Sequence, residues 1–129
     1  MISGKSEELG IIEHTMLGIE DHGILSFMLT IDFGGTGQGF GGYALDKPLK
    51  ENGEHKGRHG TEFGTEVILR ILKSVGVETW EALKGKEIWA RRDSGGMIIE
   101  IEAPAYREHE GAFNIKDLAK QYYPNGDSR

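Results

Sequence analysis

The chain contains no cysteine. Disulfides, thiolate metal centres and thiol nucleophiles are therefore excluded, in keeping with a reducing compartment. Proline is scarce, three in 129 residues, and there is no repeat period or low-complexity tract, so the sequence is not that of a collagen-like or Pro-rich extended chain. No apolar run approaches the ~18 residues that mark a membrane-spanning helix, and no basic segment followed by an apolar one opens the chain. The expectation is a soluble intracellular protein with no membrane partner. Basic charge is lacking too. Fifteen Lys and Arg against 21 Asp and Glu leave a net charge of −6, which argues against binding long nucleic acid but leaves room for a local anion pocket. There is no G-x-x-x-x-G-K-[ST], no G-x-S-x-G, no nucleophile–base pair and no spaced carboxylate dyad; Glu13, Asp21, Asp32 and Glu66 qualify as acid–base candidates only by being carboxylates. No catalytic residue, metal or cofactor is expected.

What the chain has in excess is glycine, 20 residues, about twice the usual ~7 %. Six lie between Gly34 and Gly42, next to a strongly patterned strand. Glycine loses more conformational freedom on folding than any other residue, so such a density needs a reason: positive φ, or close approach to something. Gly37-Gln38-Gly39-Phe40-Gly41-Gly42 formally satisfies G-x-G-x-x-G. A dinucleotide fold requires a helix to open on that loop, whereas Tyr43-Ala44-Leu45 reads as strand and Pro48 follows. Two readings stand side by side: a structural bend of the sheet, or a close-contact edge for a ligand or subunit, with Gln38, Phe40 and Tyr43 supplying an amide and two rings.

Length and an ordinary apolar content of 37 % predict one domain over residues 1–129, with 1–9 and 125–129 as frayed tails. Ile11–Glu20 reads as a strand, Asp21-His22-Gly23 as a three-residue turn, and Ile24–Phe33 as a half-buried strand with Leu25, Phe27, Leu29, Ile31 and Phe33 on one face. Phe40–Leu45 is expected as a third antiparallel strand, and Asp46–Gly60 as a surface loop. A helix should begin near Thr61–Thr65 and stop at Gly76. Thr79 can cap a short helix, Trp80–Lys84, closed by Gly85. Lys86–Asp93 and Met97–Ala103 should pair around Ser94-Gly95-Gly96, and Asn114 with Asp117 should start a last helix through Tyr123. The order predicts an α+β domain whose mainly antiparallel sheet, a β-meander plus a C-terminal hairpin, packs with two or three helices.

Other constellations are weaker. His55 and His59 have H-x₃-H spacing without further ligands, so a solvated loop is favoured over a metal site, although Lys56 and Arg58 beside them could meet a phosphate. Arg91 and Arg92 are strand neighbours on opposite faces, with Asp93, Glu100 and Glu102 as cross-strand partners. Tyr106, Arg107 and Phe113 together offer material for a phosphate and base clamp. Trp80 and Trp89 read as core or interface anchors, and His14 and His22 as surface residues.

Three stretches, Ile19–Leu25, Gly37–Asp46 and Gly76–Gly85, resemble small phage and prophage proteins, and among them the first type of Thoeris anti-defence protein. The likeness spans residues 11–103 and weakens beyond. It implies a non-enzymatic sponge in the host cell cytoplasm that sequesters cyclic ADP-ribose isomers made by bacterial TIR-domain immune enzymes, with ligands at contacts between subunits of a homo-oligomer and, in some relatives, cyclic oligonucleotides in separate pockets. On this expectation Gly37, Gly39 and Gly42 permit backbone approach and Gln38 supplies amide bonds. Phe40, Tyr43 or Tyr106 stacks a base, and Arg58, Arg91, Arg92 or Arg107 neutralises phosphates. A different class of function fits the acidic surface, a phage inhibitor that occupies a host defence protein; an enzyme that cleaves the signal is least supported.

Overall fold

A computed structural model describes residues 6–126. It is an α+β domain: eight strands and two α-helices among the described residues, with a mainly antiparallel sheet. The main sheet contains β1 (Glu7–Asp21), β2 (Ile24–Asp32), β3 (Gly37–Gly41), β6 (Glu87–Arg92), β7 (Ile98–Glu102) and β8 (Phe113–Asn114) in the order β3-β2-β1-β6-β7-β8. Between β3 and β6 the chain builds a separate hairpin, β4 (Asp46–Glu51) and β5 (Glu54–Gly60), then α1 (Glu62–Val75) and a 3₁₀ turn at Glu81–Leu83. Helix α2 (Ile115–Tyr122) ends the fold.

The alternation in β2 does what its pattern predicts. Phe27, Leu29 and Ile31 are buried in the core, while Met28, Thr30 and Asp32 face the other way. The pairs Ile12↔Ile31, Leu29↔Phe40, Gly10↔Ile88 and Ala90↔Ile101 carry this inner face across the sheet. The sheet is strongly curled. Phe40 on one edge strand meets Phe113 on the other, ring centroids 6.4 Å apart, and Phe27 lies edge-on to Phe40 at 5.6 Å. Helix α1 closes the inner face with Phe63, Val67, Ile71 and Val75. Its start is tied to the irregular segment that precedes the hairpin: the Thr61 hydroxyl donates to the Leu45 carbonyl at 2.9 Å and accepts the Gly64 N–H at 2.9 Å. Gly64 is required there because a Cβ would collide with that same carbonyl. Gly76 ends α1 at φ 83°, and Asn114 caps α2 by accepting the Asp117 N–H, both as predicted.

Several boundaries differ from the sequence expectation. β1 starts at Glu7, because Glu7, Glu8 and Leu9 pair with Arg91, Ala90 and Trp89, so residues 7–9 are not a frayed tail. The expected tails at 1–5 and 127–129 lie outside the described residues, and Asn125-Gly126 sits in a turn closed by the Gly126 N–H to Tyr123 O bond. The first turn is the two-residue loop His22-Gly23, both at positive φ (54° and 73°), which matches the right-handed twist of the hairpin. The third strand is Gly37–Gly41, inside the glycine run, and Tyr43–Leu45 is irregular. The segment Asp46–Gly60 is no loop: Asn52-Gly53, again both at positive φ, turns β4 into β5.

Candidate functional site

Two faces of the curled sheet carry different chemistry. On the outer face, opposite the helices, β3 contributes Gly37, Gly39 and Gly41, β2 contributes Met28, Thr30 and Asp32, and β1 contributes Leu9, Ile11, His14 and Met16. Trp89, Arg91 and Glu87 of β6 follow, then Glu100 and Glu102 of β7. Leu9 and Ile11 are 38 % and 47 % exposed, a large apolar pair left in solvent. Beside them Arg91 holds three carboxylates: Glu100 at 2.6 Å, Glu102 at 2.9 Å and Glu7 at 3.2 Å. Partial burial pulls the Arg91 guanidinium down, but the bonds to Glu100, Glu102 and Glu7 together outweigh it and hold the group above its ordinary value. Asn114 donates to the second oxygen of Glu100 at 3.2 Å.

Arg92, one residue on, points to the inner side as the strand geometry requires. It donates to Gln38 at 2.7 Å and to Glu8 at 3.0 Å, and lies 4.8 Å from the centre of the Phe33 ring. Gln38 in turn donates to the Gly96 carbonyl in the β6–β7 turn at 2.7 Å. The Gln38–Arg92 pair therefore spans the curl, linking the edge strand β3 to the far hairpin. Arg58 clamps the base of the β4–β5 hairpin, donating to the Asp46 carboxylate at 2.8 Å and to its carbonyl at 3.1 Å. That side-chain bond holds the Asp46 carboxyl below the usual range despite its burial, and the Leu25 N–H adds to the effect.

Of the ten residues expected to form a site, the structure brings Gln38 and Arg92 together as a strut and gives Arg91 and Arg58 carboxylate partners. Phe40 is a correction: its ring is fully buried between Phe27 and Phe113, so it has no face for a base. Phe113, expected in a clamp with Tyr106 and Arg107, is core as well. Tyr43 is half-buried against the core, and burial raises its phenol above the ordinary value. Tyr106 is 76 % exposed, its hydroxyl donating to Glu87 at the border of the outer face, a bond that raises the phenol. Arg107 follows with no side-chain hydrogen bond or ion pair among the described residues.

The glycine run has largely internal causes. Gly34, Gly35, Gly41 and Gly42 take positive φ (89°, 117°, 145° and 84°), and a Cβ on Gly41 would strike the Phe27 carbonyl. At Gly39 the Met28 side chain occupies the space a Cβ would need, its sulfur 2.7 Å from that position. Gly37 alone of the three on β3 has ordinary room.

The outer-face apolar pair, Leu9 and Ile11, escapes a sequence reading that treats residues 1–9 as a tail; period-2 spacing carried back from Ile11 is the signal that finds it. Two surface clefts also lie away from the expected residues. One of about 270 Å³ is bounded by Arg70, Lys73, Ser74, Glu110 and Phe113, and the other, about 430 Å³, opens at Thr61, Glu62, Glu66 and Tyr122. Among the described residues no cluster of His, Asp and Glu could hold a metal, and no helix is long and apolar enough to cross a membrane. In comparisons with known proteins, no protein family, curated protein or solved structure matches the chain.

Proposed function

We propose that the protein acts by capture and not by turnover: it binds a cyclic nucleotide signal of the cyclic ADP-ribose kind and holds it intact where copies of the chain meet. The observation that carries this reading is the Tyr106–Arg107 pair, an open aromatic ring followed by a cation with no partner among the described residues, bordering the outer face. A ring and a guanidinium are the two groups a nucleotide asks for, one to stack on the base and one to meet a phosphate. The likeness of the Ile19–Leu25, Gly37–Asp46 and Gly76–Gly85 stretches to phage anti-defence proteins supports the same reading. The Tyr106 ring is 76 % exposed, so a ligand stacked on it keeps one side in solvent unless a second surface covers it.

The test is retention. The protein is mixed with cyclic ADP-ribose isomers and with cyclic dinucleotides, stripped of free ligand, denatured, and the released material analysed. Intact nucleotide at near one equivalent is the expected result. Tyr106→Ala and Arg107→Ala should each weaken retention roughly 10- to 100-fold, the range for one stacking contact or one charge-assisted bond. Recovery of a cleaved product would make the protein an enzyme. A second reading draws on a different observation. The apolar pair Leu9–Ile11, rimmed by Glu7, Glu87, Glu100 and Glu102, suits docking onto a host defence protein, and no nucleotide retained at all would favour it.

A further inference from the structure

Strand β1 is 15 residues long, yet β6 covers it only from Glu7 to Ile11. The cover ends with Ile12, whose N–H donates to Lys86 O at 2.9 Å and whose carbonyl accepts the Gly85 N–H at 2.7 Å. Beyond Ile12 the outer edge of β1 has no strand beside it among the described residues. Which backbone groups it presents follows from the partner strand. Phe27 and Leu25 give their carbonyls to Gly42 and Leu45 on the β3 side, so these positions of β2 point away from β1. Leu17, opposite Phe27, and Thr15, opposite Leu29, therefore direct their own N–H and C=O groups away from β2, into the open edge. Ile12, opposite Ile31, has the same parity and is seen doing so.

Edges of this kind template pairing with another strand, and proteins usually blunt them with Lys, Pro or a cover. The other edges here are blunted. β3 is bent by Gly41 and folded against β7 and β8, and the β4–β5 hairpin carries Lys47, Pro48, Lys50 and Lys56. From Glu7 to Asp21 there is no Lys, Arg or Pro, and Leu17 and Ile19 stand 37 % and 65 % exposed.

We propose that β1 pairs edge to edge with β1 of a second copy, antiparallel about a two-fold axis at Leu17. The side-chain pattern, an imidazole N–H donor at one end of the edge and a carboxylate acceptor at the other, is what selects a second copy as the occupant. His14 and Glu20, both exposed, lie three residues either side of Leu17, so this register sets each copy's His14 opposite the other's Glu20 and each Thr15 opposite Ile19. The irregular pairing between Gly18 and Asp21 limits the ladder to about Thr15–Ile19, with the His–Glu pairs at its ends. Such a contact supplies the meeting of copies that the capture reading calls for, but its test involves no ligand, so either can fail without the other.

The test is sedimentation of the full chain without nucleotide. The wild type should sediment as a dimer or an even-numbered assembly. Leu17→Pro removes an N–H that β2 does not use, twice per two-fold interface, and should weaken association roughly 30-fold or more while circular dichroism stays unchanged. Because the chain lacks cysteine, Leu17→Cys should give a disulfide-linked dimer on mild oxidation, whereas Leu69→Cys, on the exposed side of α1, should not. A monomeric wild type, or Leu17→Pro folded and associating as before, overturns the proposal. If Leu17→Pro fails to fold, absence of a Leu17→Cys cross-link overturns it instead.

Discussion

Phe40 separates a core residue from a ligand platform, and truncating it tells the two apart. The ring is fully buried, packs edge-on against Phe27 at 5.6 Å and Phe113 at 6.4 Å, and joins the two edge strands of the curled sheet. Phe40→Ala deletes a whole ring from a site whose walls come from β2 and β8, which cannot both move in without opening the curl. Buried Phe-to-Ala changes cost about 3–5 kcal/mol, and the two ring contacts place this one in the upper half of that range. Against a total stability of about 5–15 kcal/mol, that is a large share. At about 4 °C per kcal/mol for a chain of this size, the melting temperature should fall by roughly 16–20 °C. Urea denaturation should show the midpoint falling with little change in slope, and Phe40→Leu should lose far less. A Phe40→Ala protein that melts within a few degrees of the wild type but no longer retains nucleotide would refute the reasoning, since the ring would then serve the ligand and not the core.

Gly41→Ala should cost roughly 2 kcal/mol or more, because it combines φ 145° with a clash on the Phe27 carbonyl, whereas Gly37→Ala, with ordinary room, should stay within about 0.5 kcal/mol; chemical denaturation of both checks the contrast. The Asp46 carboxyl sits below its ordinary 3.8, so its contribution to stability is complete above that value and is lost as pH falls through the lowered one. Asp46→Asn should therefore lower stability at neutral pH and shrink the difference from wild type as the acid limb is descended. Arg91→Gln leaves Glu7, Glu100 and Glu102 facing one another without their cation, so its melting temperature should fall at low salt and recover part of the loss in about 1 M salt, which screens their repulsion. An Arg91→Gln protein equally destabilised at low and high salt would mean that packing of the side chain, and not its charge, matters.

Elements that bury one face were legible and those that do not were not. In β2, Phe27, Leu29 and Ile31 alternate with Met28, Thr30 and Asp32 because only one side meets the core. In α1, Phe63, Val67, Ile71 and Val75 recur at helical spacing for the same reason, between a hydroxyl cap at Thr61 and a left-handed Gly76. The β4–β5 hairpin is exposed along almost its whole length, so no alternation marks it. Its only signal was Asn52-Gly53, the dipeptide that suits a two-residue turn with both φ positive, and charges on either side disguised it as loop. The two residues of β8 are too few for any period. Partnerships of Arg91 with Glu100 and Glu102 could be read from a short hairpin, but that of Arg92 with Gln38 spans 54 positions and depends on the curl. The glycines on either side of Phe40 hide its burial from a sequence reading. Register, not local composition, sets its ring opposite Leu29 and inside.

The glycine run therefore supports the fold more directly than it supports any ligand, and this moves the weight of a nucleotide reading along the chain. Four of its members answer to positive φ and Gly39 to the Met28 side chain above it. The arginines nearest the sheet do not replace it as an anion site. Arg91 is one cation among three carboxylates, Arg92 is committed to Gln38 and Glu8, and Arg58 is committed to Asp46. An incoming phosphate would have to displace a carboxylate already within hydrogen-bond distance, and on this acidic chain the freed carboxylate would then repel it. Arg107 imposes no such exchange, and the ring beside it is open to solvent. If a phosphate is bound by this protein, the segment after β7 that carries Tyr106 and Arg107 is where the electrostatic cost is least.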